Sequence, residues 1–427
     1  MVKFRISAPG KIILFGEHAV VYGKTAVAAS LNLRTTIDLV QLPKQLQDIN
    51  NVIKIELPDV QLTLSVPLHS VTAYFVDGNM SAFDYPLIKI NDQLHSYVKE
   101  FVDSLKSLIN KSNKSKVESS VLDQQKVSLQ AFFFSLVYMI KEEGLNINKT
   151  SFCVTLSTEL MVSAGQGSSA SFAVCLAATF LYWSRLQKGI KRKGFERDEL
   201  DKISKCALEC ERIMHETPSG IDNTVCTYGQ MVKFQKKEVT DMIKPEFNVL
   251  DFNVLLVNTN VMRSTKNQVK QVKDLKNLHP TIINPVLDSI DALSNDAWQT
   301  ISKMYEKCCR DLCGNPITFS MEPDWYATLS RFVHMNQRLL NVLDVSHSQL
   351  EVVCSMARAR TYAGKLTGAG GGGFAYILLP FNISNEHTKS IQDLTEELKE
   401  KGFYVTMATL SCRGVEIDYH NEVFPDN

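Results

Sequence analysis

Three glycine-rich segments carry residue types suited to phosphate chemistry. The middle one reads Ser163-Ala164-Gly165-Gln166-Gly167-Ser168-Ser169-Ala170-Ser171, after an extended stretch at 152–156 and ahead of a small-residue helix at 170–181. Glycine lets a backbone approach an anion closely, and the unpaired N–H groups at a helix start form a cradle for phosphate. A tight strand-to-helix turn is the plain alternative. The loop contains no lysine, so it is not a Walker A loop, and the serines after its Gly-x-Gly make a poor dinucleotide fingerprint.

A cradle without a lysine needs a cation from elsewhere. Lys11 follows Ala8-Pro9-Gly10 and precedes the apolar Ile12-Ile13-Leu14-Phe15, which reads as a half-buried lysine at a turn between two strands. Gly16-Glu17-His18 then interrupts the apolar run with polar residues, as a site would; a structural Glu-His pair is the other reading. Phosphoryl transfer also needs Mg²⁺ on hard oxygens and a group that positions or deprotonates the attacking hydroxyl. Ser169, where the cradle meets its helix, suits a metal ligand or a helix cap. Glu211 stands at the edge of the apolar face of a helix expected over 199–214, where it reaches inward or stays solvated. Asp222 follows the Pro218-Ser219-Gly220 turn, a place where Asp and Asn commonly cap backbone. The third segment, Lys365-Leu366-Thr367-Gly368-Ala369-Gly370-Gly371-Gly372-Gly373-Phe374, has five glycines among six residues directly before a strand. So much backbone entropy at that place suggests a backbone-lined site wall rather than a linker.

The elements that would position these groups follow from periodicity. Alternating or β-branched runs predict strands at 4–7, 11–15, 34–40, 52–57 and 252–257, and a last strand pair at 373–379 and 402–410 flanks a helix at 386–401. Apolar spacing of three and four predicts the helix at 199–214 and helical structure over roughly 266–360. The polar stretch 110–126 reads as a mobile surface loop with little chemistry. A boundary near Pro245 divides the chain into 1–245 and 246–427, and the class is α+β.

Composition excludes other classes. With 427 residues and 44% apolar content the chain can fill a sizeable core, which excludes disorder as its main state. Lys+Arg and Asp+Glu are each 46, so there is no global basic field for nucleic acid or an anionic membrane. The longest apolar run, 170–183, is shorter than the roughly 20 residues of a membrane helix, and the start lacks the apolar core of a signal peptide. The ten cysteines include no Cys-x-x-Cys pair and read as reduced core thiols. Cys308, Cys309 and Cys313 lack the following pair that a zinc site needs. The expectation is a soluble cytoplasmic protein.

In order along the chain, the motifs resemble those of the small-molecule kinase family that includes galactokinase, homoserine kinase, mevalonate kinase and phosphomevalonate kinase. They stand as APGKIILFGEHAVVYG at 8–23, SAGQGSSASFAV at 163–174, Glu211-Arg212-Ile213-Met214-His215 with Pro218-Ser219-Gly220-Ile221-Asp222-Asn223, and KLTGAGGGGFAYILL at 365–379. The continuation Ala19-Val20-Val21-Tyr22-Gly23 resembles the mevalonate-phosphorylating branch. Coverage is good over 1–40, 150–230 and 250–415 and poor over 41–148.

The resemblance implies two domains, an N-terminal α+β domain similar to one in a small-subunit ribosomal protein and a C-terminal ferredoxin-like α+β domain, with the active site in the cleft between them. It implies ATP- and Mg²⁺-dependent phosphorylation of the C5 hydroxyl of (R)-mevalonate, in isoprenoid and sterol synthesis, by an enzyme that is often a homodimer. By the same resemblance Asp222 matches the catalytic base, and Lys11 the lysine that contacts base and phosphates. Ser169 and Glu211 match the Mg²⁺ ligands. Ser163, Ala164, Gly165, Gln166, Gly167, Ser168 and Ser169 match the phosphate loop; Glu17, His18 and Thr265 match substrate-side or supporting groups, and Asp59 a position lining the adenine. The sequence departs from the pattern at Ser163, where the family has glycine, and at Gln166, where it has an apolar side chain. A family kinase for another alcohol and a non-catalytic ligand sensor are the competing functions.

Overall fold

The computed structural model describes residues 2–42, 51–76, 87–112, 118–148, 150–161, 165–214, 218–235, 238–243, 252–262, 264–313, 324–381 and 383–423. Twelve strands among them form two sheets. The first contains β1 (Lys3–Phe15), β2 (Ala26–Gln41), β3 (Val52–Leu57), β4 (Leu62–Pro67), β5 (Phe152–Thr158), β6 (Met231–Gln235), β7 (Glu238–Ile243) and β12 (Glu416–Val423), and the second β8 (Asn253–Asn258), β9 (Ala363–Leu366), β10 (Phe374–Leu378) and β11 (Tyr404–Thr409). The first sheet runs β12-β1-β2-β5-β3-β4, with β6 on β2 and β7 on β6; the second runs β11-β8-β10-β9. The helices are α1 (Leu68–Phe75), α2 (Leu87–Ser104), α3 (Lys106–Ser112), α4 (Ser119–Glu143), α5 (Ser168–Gln187), α6 (Arg197–Met214), α7 (Ile221–Tyr228), α8 (Thr265–Leu278), α9 (Pro280–Cys313), α10 (Asp324–Val342), α11 (Ser348–Ala359) and α12 (Asn385–Glu400). The α+β class is borne out.

The core behind the first sheet joins alternating inward residues of β1, β2 and β5 to the apolar faces of α4, α5 and α6. Phe132, Phe133, Phe134, Phe180 and Trp183 fill it. A second cluster crosses between the sheets, where Ile12, Leu14 and Phe15 of β1 pack with Val254, Leu256 and Tyr376 and with Trp298 of α9. These contacts fix where β1 lies against the glycine segment before β10.

Ala8-Pro9-Gly10 is not a turn between two strands. β1 is one strand of 13 residues, and its pairing with β2 shifts register between Pro9 and Lys11. Pro9 lacks a donor for the ladder, and a bulge absorbs it while turning the strand locally. Gly10 lets the strand approach closely there, because a Cβ would meet Leu160 Cδ2 and sit 3.0 Å from the Gln166 carbonyl. The loop expected over 110–126 is corrected at both ends, since α3 reaches Ser112 and α4 starts at Ser119; residues 113–117 lie outside the described residues. The polar residues of 119–126 make a solvated helix face, except that buried Gln125 donates to the carbonyls of Val60 (3.0 Å) and Gln61 (3.2 Å). Pro245 falls outside the described residues. Across that position β12 returns from the C-terminal end to pair with β1, Ile6 opposite Ile417. No helix among the described residues is long and apolar enough to cross a membrane.

Candidate active site

The middle glycine segment forms the start of α5. Gly167 caps the helix in the left-handed region at φ 72, and Gly165 has φ 82. The segment is stitched to β1: Lys11 N–H donates to the Gln166 carbonyl (2.8 Å), and the Ser171 hydroxyl donates to the Ala8 carbonyl (2.8 Å). Gln166 is buried, and its Oε1 accepts from Met161 N–H (3.1 Å), so the polar side chain at this position spans the base of the loop. Ser163 and Ala164 lie outside the described residues. Ser168 and Ser169 are half-buried in the first turn of α5.

The bulge in β1 places Lys11 beneath this helix start. Its ammonium is buried and forms an ion pair with Asp222 Oδ1. Gly220, at φ 85, starts α7 and sets Asp222 in its first turn. The Lys11 side chain is 7% exposed and that of Asp222 31%, so the carboxylate is the more solvent-accessible partner. A Cβ on Gly167 would lie 3.3 Å from Lys11 Cβ and 3.8 Å from Asp222 Oδ1, so this glycine brings the glycine-rich loop against the pair. Asp222 is thus no turn cap. Its neighbour Asn223 turns the other way and donates to Ser204 on α6.

Glu211 comes from α6 on the inward side. It is 2% exposed, its Oε2 has no hydrogen-bond partner, and burial pushes its carboxyl up to about 7 against the opposing pull of Lys11. A solvated helix glutamate is excluded. Among the described residues no group of three or more His, Cys, Asp or Glu is placed to hold a metal. An orphaned carboxylate oxygen and the Ser169 hydroxyl are hard donors that fit Mg²⁺, which takes one or two protein ligands and fills its shell with phosphate and water oxygens. Cys153, Cys175, Cys206, Cys210, Cys226, Cys308, Cys354 and Cys412 are free thiols.

Glu17 and His18 leave β1 towards the third glycine segment. His18 holds a positive φ of 60, and its Nε2 donates to the Ala369 carbonyl (2.8 Å). Glu17 is fully buried and paired with Lys365, the first residue of that segment's motif. The sequence alone does not pair Lys365 with Glu17, because the two are 348 residues apart. Thr367 locks the same junction, its hydroxyl donating to the Ile13 carbonyl (2.8 Å) and accepting from Ile13 N–H (3.2 Å). Thr265 is exposed at the first residue of α8, whose Gln268 abuts Gly371. Asp59 is exposed on the short 3-10 turn Pro58–Val60, with its carboxyl raised by partial desolvation.

The glycine-rich helix start, the lysine-aspartate pair and the buried orphaned carboxylate are carried on two sheets whose fold is that of solved GHMP-type small-molecule kinases. The family described as GHMP kinases N terminal domain matches residues 132–230, from within α4 to the turn before β6. A crystal structure of a mevalonate kinase superposes with a TM-score of 0.62 over 95% of this chain and 99% of its own, at 21% identity. Lactococcus lactis galactokinase in complex with galactose superposes at 0.58 over 97% and 94%, at 14% identity. Among sequences, the mevalonate kinases of Bos taurus (30% identical, covering 96% of this chain and 94% of that one) and Arabidopsis thaliana (31%, 98% and 100%) align along nearly the whole length. The chain belongs to the mevalonate kinase family.

Proposed function

We propose that this protein transfers the γ-phosphoryl group of ATP to the C5 hydroxyl of (R)-mevalonate, giving 5-phosphomevalonate and ADP. The observation that carries the reading is the buried Lys11 paired with a solvent-reachable Asp222 directly against Gly167 of the phosphate loop. Asp222 accepts the hydroxyl proton as the new O–P bond forms and the bond to the ADP oxygen breaks. Lys11 holds that carboxylate and spreads positive charge over the transferring group. Backbone N–H groups at the start of α5 orient the phosphates. Ser169 and Glu211 would hold Mg²⁺, which neutralises charge on the phosphate oxygens. Glu17, His18 and Thr265 would serve the alcohol side, and Asp59 the adenine side.

The intact set Lys11, Ser169, Glu211 and Asp222 favours an enzyme over a sensor. Family resemblance also supports a cytoplasmic homodimer, which sedimentation tests. The decisive experiment is a coupled ADP-release assay on mevalonate, 5-phosphomevalonate, galactose and homoserine, with Asp222→Ala in parallel. Turnover on mevalonate alone, reduced about 10²–10⁴-fold in the variant, is expected. Turnover confined to another alcohol, or an unimpaired variant, overturns the reading.

A further inference from the structure

Glu17 and Lys365 form an ion pair in which both side chains are 0% exposed. Withdrawing two charges from water is expensive, and a well-packed apolar pair of similar volume is often at least as stable. Stability alone is therefore a weak reason for this pair.

Geometry gives a better one. The Lys365 ammonium has three N–H donors. It donates to Glu17 Oε1, donates to the Leu366 carbonyl (2.7 Å), and lies 5.3 Å from the centroid of the Tyr376 ring. The ring is itself anchored, its hydroxyl donating to the Leu14 carbonyl on β1 (3.0 Å). Lys365 is fully buried, and of its three neighbours here Glu17 is the charged side chain through which it can act. Glu17, in contrast, keeps one oxygen, Oε2, buried and without a hydrogen-bond partner. A buried carboxylate oxygen left bare asks for a donor. Glu17 directly precedes His18, which is tied to the third glycine segment, and it lies close enough to Lys11 to feel its charge.

We propose that Lys365 is a positioning residue for phosphoryl transfer: by seizing Oε1 of Glu17 it fixes the carboxylate so that Oε2 accepts a hydrogen bond from a hydroxyl of the bound alcohol. This rests on the kinase reading above. The mevalonate-phosphorylating branch supplies the alcohol, and the glycine segment contributes a side chain as well as a backbone wall. Lys365 touches neither nucleotide nor alcohol.

The test is a double-mutant cycle of Lys365→Met and Glu17→Gln in the full-length protein, read on separate KM values for alcohol and ATP and on thermal stability. Misplacement of a binding group by about an ångström can lower the rate roughly 10²-fold, so K365M is expected to lose on the order of 10- to 100-fold in kcat/KM for the alcohol, with KM for ATP unchanged. Adding E17Q to K365M should cause no further loss beyond that of E17Q alone, because Lys365 has nothing left to position. It should also restore thermal stability lost in K365M, since the uncompensated buried charge is gone. Additive losses, a matching rise in KM for ATP, or wild-type alcohol kinetics in K365M would overturn the proposal. Absence of mevalonate turnover in the wild type overturns the substrate assignment instead. The kinetic arm then moves to whichever alcohol is turned over, and failure of E17Q to restore K365M stability overturns the positioning role even without turnover.

Discussion

Glu211 shows how burial changes an ordinary carboxylate. Its folded value near 7 stands above the 4.5 of a free glutamate, with desolvation the main cause and Lys11 opposing it. The sign follows from linkage: between about 4.5 and 7 the unfolded chain releases a proton that the folded chain retains, so stability falls as pH rises through that window. In metal-free protein, melting temperature measured from pH 5 to 8 should decline more steeply in the wild type than in Glu211→Gln. The same substitution should raise the Mg²⁺ concentration needed for half-maximal turnover, because a neutral amide is a poorer partner for a hard cation. Parallel melting curves together with an unchanged Mg²⁺ requirement would remove Glu211 from the metal site. Lys11 behaves differently, since its charge is compensated by Asp222 in the ground state. Lys11→Met should therefore reduce turnover in the same range as Asp222→Ala, about 10²–10⁴-fold, while leaving the Asp222 carboxylate more solvated.

Strands and loops bring these residues together, and glycine positions report how tightly. Gly370 has φ 73, and a Cβ there would overlap the Val345 carbonyl, which already accepts from Gly371 N–H (2.8 Å). Gly144 has a similar φ of 63 but open space around it. Gly144→Ala should lower stability by about 1–2 kcal/mol from left-handed strain alone. Gly370→Ala should lower it by more in urea titrations and also weaken alcohol binding, because the displaced loop carries Ala369, the anchor of His18. Equal effects of the two substitutions would show that the glycine segment yields freely. The sequence made some of this level readable: β3 at Val52–Leu57 alternates cleanly, and α6 repeats its apolar residues at helical spacing. It misled where local chemistry had two outcomes. Pro9-Gly10 suits a turn or a bulge, and neighbouring β2 decides for the bulge. Residues 119–126 are polar enough for a loop, but α4 uses them as a solvated face around one buried glutamine. Lys11, Glu211 and Asp222 could be named from ordered motifs. The Glu17–Lys365 pair could not, since no periodicity links residues so far apart.

At the level of the whole molecule, contacts of both sheets cross position 245. β12 closes the edge of the first sheet by pairing Arg5 with Asp418 and Ser7 with Glu416, and Val415 and Ile417 enter the first core. Arg34 on β2 donates to the Gly414 carbonyl (2.6 Å) just before that strand. Ile12, Leu14 and Phe15, beyond the β1 bulge, find their packing partners on the second sheet and α9. A fragment of residues 1–245 would therefore expose a strand edge and an apolar face on the strand that carries Lys11. Such edges template association, and apolar faces of this kind drive collapse. Expressed alone, the fragment should aggregate or fail to bind ATP. Deletion of residues 416–427 from the full chain removes β12 while leaving the second sheet intact, so it should lower the melting temperature and reduce ATP affinity together. A fragment 1–245 that stays monomeric and binds ATP as tightly as the full chain would show that β1 is held by the first half alone. The Lys11–Asp222 ion pair would then owe nothing to the C-terminal strand.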